Sequence, residues 1–121
     1  MSNEDAQMTK LLSTNLHQQE ALSWLQIQDG KGRTIGDGGP DETVTASLRL
    51  VKDLYQCGAV HVIAIDIDAD THTETTRTLI VEMPPQKELR KQLLQTEAKV
   101  AAQGGFDPVS DNGQRYFMLH W

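Results

Sequence analysis

The sequence contains one cysteine, Cys57, so no intrachain disulfide can form, and a lone thiol fits a reducing compartment better than a secreted one. Long apolar runs are missing as well. The uncharged stretch that ends at Ile65 is far too short to span a bilayer. The opening Met1-Ser2-Asn3-Glu4-Asp5 is acidic and polar where a secretory leader carries positive charge and an apolar segment. The expectation is a cytoplasmic chain without a membrane partner.

A basic surplus is the third absence. Net charge is −6; residues 41 to 83 hold eight acids against three bases, whereas residues 84 to 121 hold four acids and five bases. Nucleic-acid binders draw most of their affinity from phosphate neutralisation by a basic face. The nearest approach to one is the cluster Lys87, Arg90, Lys91 and Lys99, whose plainer reading is a solvated helix face, so no nucleic-acid partner is expected.

A chain of 121 residues has the size of one domain and buries enough surface on folding to need no disulfide or metal staple. Residues 1–21 read as a polar N-terminal arm or short helix, with Met8, Leu11, Leu12 and Leu16 at loose helical spacing. Residues 22–121 read as a single α+β domain with a glycine-rich loop at 29–40. Within it, Leu22 to Ile27 fits either the close of the first helix or a first strand.

From about Glu42 to Cys57, Val44, Leu48, Val51 and Tyr55 mark a helical stripe. Asp41 is placed to cap its start and Gly58 to end it in left-handed conformation. Val60 to Ile67 is β-branched and apolar and reads as an interior strand. Thr78 to Met83 reads as a second strand, joined to the first by a long polar hairpin over 68–77 and stopped by Pro84-Pro85. A second helix follows from about Gln86 to Gln103, with Leu89, Leu93, Val100 and Ala101 as its stripe and Gly104-Gly105 as its end. Arg115 to Trp121 is a last strand, with Phe117, Leu119 and Trp121 on one side and Tyr116, Met118 and His120 on the other.

The order (β)αββαβ predicts a two-layer α+β sandwich, an antiparallel sheet with two helices on one face. If Leu22–Ile27 is a strand, the plan is the ferredoxin-like split βαβ.

The sharpest chemical feature is the alternation Asp66, Asp68, Asp70, His72, Glu74. On an extended chain every second side chain points the same way, so Asp66, Asp68, Asp70 and His72 are the candidate ligands for Ca²⁺, Mg²⁺ or Mn²⁺. As an EF-hand loop the segment fails twice, with Thr71 where glycine is needed and Arg77 where the bidentate glutamate belongs. The plainer reading is a charged hairpin that discourages edge pairing.

Gly30-Lys31-Gly32-Arg33-Thr34-Ile35-Gly36 precedes a helix, yet its spacing matches no phosphate-binding fingerprint. Cys57 sits at the negative end of a helix, which disfavours a thiolate. His61 and His120 lie on strands without paired spacing, and no serine has a nucleophile-elbow pattern. The segment from Gly105 to Tyr116, rich in turn residues, reads as a binding edge or as a well-specified connection.

At Leu54-Tyr55-Gln56-Cys57-Gly58-Ala59, and at Gly105-Phe106-Asp107-Pro108 with Gly113-Gln114-Arg115-Tyr116, the chain resembles a set of small bacterial proteins of unassigned function. The resemblance covers about residues 42 to 121. It implies a bacterial, stand-alone domain and no activity, cofactor or catalytic residue.

No catalytic set converges, no cofactor is expected, and no residue is assigned a catalytic role. The expectation is a non-enzymatic interaction or regulatory module that docks on another protein or on itself. The alternative is a small-molecule or divalent-metal-dependent enzyme using the 66–74 acidic hairpin or the glycine-rich loop.

Overall fold

The computed structural model describes residues 3–36 and 43–121. In chain order the elements are α1 (Asn3–Thr14), β1 (Gln19–Glu20), α2 (Ala21–Leu25), β2 (Gly32–Ile35), α3 (Val44–Gln56), β3 (His61–Ile65), β4 (Asp68–Ala69), β5 (Thr73–Thr76), β6 (Thr78–Glu82), α4 (Lys87–Gln103) and β7 (Tyr116–His120). The α+β class holds. The sheet at its centre is antiparallel in the order β1-β3-β6-β7.

Strand alternation sorts this sheet's side chains onto two faces. Val62, Ala64, Leu79, Val81, Phe117 and Leu119 are almost fully buried and meet Val51 and Leu54 of α3, Leu93 and Val100 of α4, and Ala21, Trp24 and Leu25 of α2. The rows on the opposite face follow from register: His61-Glu82-Tyr116, Ile63-Ile80-Met118 and Ile65-Thr78-His120. Helices α3 and α4 thus share one face, as expected, and the second face takes the N-terminal helix. Helix α1 reaches it, with Asp5 accepting from the N–H groups of Arg115 and Tyr116 (2.9 and 3.2 Å) and Leu12 lining a hollow with Ile63, Ile80 and Tyr116.

The ferredoxin-like expectation fails at its first strand. Leu22 to Ile27 lies mostly in α2, because the Glu20 carboxylate accepts from the N–H groups of Leu22 and Ser23 (3.0 and 2.7 Å) and starts a helical turn there. Trp24 faces the core with no exposed surface. The sheet position beside β3 goes instead to the two-residue β1, which pairs with β3 directly. No strand is inserted between them, so no split βαβ forms.

Both long helices end as their glycines require. At the end of α3, Gly58 has φ +103°, and the N–H groups of Gly58 and Ala59 donate to the carbonyls of Tyr55 and Leu54. At the end of α4, Gly105 has φ +76°, and the N–H groups of Gly105 and Phe106 donate to the carbonyls of Ala102 and Ala101. Each is a Schellman closure. The start of α3 is capped by the Thr43 hydroxyl, which accepts from Ala46 N–H at 3.0 Å; Asp41, the cap expected from sequence, lies outside the described residues.

The connection over 68–77 is more than a hairpin. β5 pairs antiparallel with β4 and parallel with β2, forming a second, three-stranded sheet in the order β2-β5-β4. Part of the glycine-rich segment is therefore strand. Its alternate residues Arg33 and Ile35 are buried, and Ile35 N–H donates to the buried Ser47 hydroxyl of α3 at 2.9 Å.

Tyr55 joins three elements. Its hydroxyl donates to Glu20 at 2.5 Å and accepts from Val62 N–H at 3.0 Å. Burial first, and the hydrogen bond to Glu20 second, push the phenol up from 10.0 to about 12. Burial alone would raise the Glu20 carboxyl, but Tyr55 and the N–H groups of Ser23 and Leu22 outweigh it and hold it below its ordinary value. A raised phenol pKa contributes stability that is complete below 10.0 and lost as pH climbs through about 12. Urea titrations between those limits are expected to show this alkaline loss in the native chain, and Tyr55→Phe is expected to abolish it.

Candidate functional site

The acidic alternation does not survive folding as one ligand set. Asp66 has φ +50°, a left-handed conformation, so the extended geometry that would align it with Asp68 is broken at its first member. Its carboxylate accepts from the Asn15 amide at 2.7 Å. Asp66 and Asp68 line an open cleft of about 560 Å³ with Arg77, Thr78 and His120, but Asp70 and His72 do not. Asp70 turns back on its own loop, accepting from Thr71 N–H at 2.7 Å, and His72 is exposed. Glu74 points the other way, into the protein. Among the described residues no group of three or more His, Cys, Asp or Glu side chains is placed to hold a metal ion.

The strand histidines also separate. His61 contacts Glu82 at 2.8 Å and His120 contacts the Thr78 hydroxyl at 2.9 Å, at opposite ends of the sheet's second face. Burial tends to raise the Glu82 carboxyl, but the bonds from His61 and Arg115 outweigh it and the net shift is downward. Cys57 is a half-buried free thiol at the cap of α3.

The four-residue basic cluster on α4 is broken as well. Arg90 is only 8% exposed and turns inward. Its guanidinium donates to Asp111 (2.7 Å) and to the carbonyls of Gln114 (2.8 Å) and Pro84 (3.2 Å). One helical heptad further on, Glu97 is 5% exposed and accepts from Val109 N–H at 2.9 Å. Gln114, 3% exposed, accepts from Asn112 N–H and donates to the Ser110 carbonyl, both at 2.9 Å. The Arg90 guanidinium, followed by Gly113 N–H, holds the Asp111 carboxyl below its usual range.

These bonds fix the segment between α4 and β7, which has no regular structure of its own. Burying a guanidinium and a carboxylate carries a large desolvation cost, which good pairing only offsets. Here both charges serve one purpose: they hold the backbone of residues 109 to 114 from beneath. Above them the segment presents Phe106, 64% exposed, and Val109, 45% exposed. Large apolar side chains on a rigidly supported loop are the usual composition of a docking surface.

The loop divides two grooves. On one side Val109 lines a groove of about 480 Å³ with Leu94 and Ala98 of α4, and Lys87, Glu88, Lys91 and Asp111 supply charges of both signs to it. On the other, Phe106 forms a wall opposite Met118, Leu119 and His120 at the outer edge of β7, with Val100 and Ala101 as floor. Sequence reading offered residues 105–116 as a binding edge or a well-specified connection and missed the supports beneath them. A signal was present: Arg90, Leu93, Glu97 and Val100 recur at three, four and three residues, so two charged residues occupy core phase.

No family model, no curated protein and no solved structure matches the chain.

Proposed function

We propose that this chain is a non-enzymatic interaction module whose braced 104–115 segment receives a segment of a partner protein in the groove between α4 and Val109. The observation that carries the reading is the pairing of two buried ionisable side chains, Arg90 and Glu97, with two exposed apolar ones, Phe106 and Val109, on the same short segment. The brace also stabilises the fold; what favours docking is its coincidence with exposed Phe106 and Val109 on the segment it holds.

The groove indicates the partner's chemistry. Leu94, Ala98 and Val109 take an apolar side chain, and around them the charges are mixed, Lys87 and Lys91 with Glu88 and Asp111, so the partner's polar groups beside that anchor pair with either sign. Desolvation of the apolar anchor supplies most of the affinity, while the rim charges govern approach and salt dependence.

A photoreactive amino acid at the exposed Gln95, expressed in the native host, tests this. One discrete protein adduct is expected, lost on Val109→Asp and weakened when Lys87 and Lys91 are both changed to Glu. Absence of any adduct, or an adduct indifferent to Val109→Asp, contradicts the reading.

A further inference from the structure

The outer edge of β7 differs from every other strand edge in the described fold. Met83 N–H donates to the Arg115 carbonyl and Trp121 N–H to that of Arg77. With the β6–β7 register, these bonds place the Arg115 carbonyl, the backbone groups of Phe117 and Leu119 and the Trp121 N–H toward β6. The backbone groups of Tyr116, Met118 and His120 then point outward. Asp5 accepts from Tyr116 N–H; the outward groups of Met118 and His120 have no hydrogen-bond partner among the described residues.

Natural edges are protected by shortness, charge, proline or cover. The other edge of this sheet, β1, is two residues long. In the second sheet, β4 is also two residues long and carries Asp68, and β2 has its Ile35 N–H bonded to Ser47. β7 is five residues long, with no charge and no proline in Tyr116-Phe117-Met118-Leu119-His120. On a chain of net charge −6 that uncharged strip is where two like copies can approach.

We propose that β7 pairs antiparallel with the β7 of a second copy about a two-fold axis at Met118, joining two four-stranded sheets into one of eight. The occupant follows from the symmetry of the outward set. Antiparallel pairing centred on Met118 sets Met118 opposite Met118 of the second copy, and Tyr116 opposite its His120. The two methionines exchange both backbone bonds, and each His120 N–H meets the Tyr116 carbonyl across the axis. Phe106, an exposed ring, lines a hollow with Met118, Leu119 and His120 beside this edge. An isologous two-fold contact is also the commonest way for a chain to close an oligomer. The contact uses the opposite side of the loop from the Val109 groove, so it does not depend on the interaction reading, and the Gln95 adduct reports on that reading separately.

The register supplies the test. Directly opposed hydrogen-bonded residues have Cα atoms about 5.5 Å apart, within disulfide reach. In the full chain carrying Cys57→Ser, Met118→Cys is expected to give a disulfide-linked dimer quickly under mild oxidation. Tyr116→Cys faces the second copy's His120, four residues along the strand from that copy's own position 116, and is expected not to. Sedimentation of the unmodified chain should show dimer at high micromolar concentration. Tyr116→Lys with His120→Lys should yield monomer, and Tyr116→Lys with His120→Glu should restore the dimer. A chain that stays monomeric throughout, or equal cross-linking at positions 116 and 118, overturns the proposal. Far-UV circular dichroism identifies any variant that fails to fold, and the native-chain sedimentation result then decides alone.

Discussion

Replacing Arg33 by methionine is expected to lower the unfolding free energy by about 3–5 kcal/mol, the usual cost of removing one partner from a buried ion pair. Arg33 is 3% exposed. Its guanidinium reaches Glu74 at 2.9 Å, both Asp29 oxygens at 2.8 and 2.7 Å, and the Ile27 carbonyl at 3.1 Å. Glu74 also accepts from the Trp24 indole N–H at 3.0 Å. One arginine thus ties the loop after α2, the second sheet and the core tryptophan together. Methionine fills most of the space but leaves the Glu74 carboxylate, itself poorly exposed, with only the longer cation contact to Lys31 at 3.9 Å. Urea denaturation of the two proteins measures the difference.

The same substitution has a pH signature. The bond to Arg33, then Lys31 N–H, holds the Asp29 carboxyl well below its ordinary 3.8. A depressed carboxylate contributes stability above its unfolded pKa, and that contribution is lost as pH falls through the lower folded value. Below about pH 4 the native chain is therefore expected to lose stability, and the Arg33→Met chain to lose less of it over the same range.

Arg90→Met is expected to cost about 2–4 kcal/mol, since the buried carbonyls of Pro84 and Gln114 each lose a donor. The lower range reflects Asp111, which is exposed enough to recover water once its partner is gone. The larger consequence is local. Without Arg90 the segment from Val109 to Gln114 loses its support, and the Gln95 adduct is expected to disappear even under conditions where the domain remains folded. A cross-link that survives Arg90→Met in folded protein would separate the groove from its brace.

The regular parts of this fold were legible because they obey local rules. The stripes of α3 and α4, the glycine ends at Gly58 and Gly105, and the alternation of β7 could each be read from neighbours in the chain. Val44, counted in the α3 stripe, is the exception, being largely exposed at the first turn.

What sequence could not show depends on partners distant in the chain. β1 is two polar residues whose pairing with Gln19↔Ala64 register exists only once β3 is present. β2 is hidden among glycines because its parallel partner β5 lies some forty residues later, and its arginine is buried only because Glu74 comes with that partner. The acidic alternation was a correct reading of spacing and a wrong reading of geometry, since a single left-handed residue at Asp66 removes the extended conformation that alternation assumes. Arg90 was assigned to a solvated basic face for a similar reason: its charge was visible, but its helical phase was not weighed against it.

The proposed docking surface requires a segment without regular structure to be as rigid as the sheet beside it. Backbone ¹⁵N relaxation across residues 106–114, compared with β6, measures this directly. Order parameters near about 0.85 in both are predicted, as for any rigid backbone. Values below about 0.6 for Val109 to Gly113 alongside a rigid β6 would mean that Arg90 and Glu97 do not hold the loop, and would contradict the proposed docking surface.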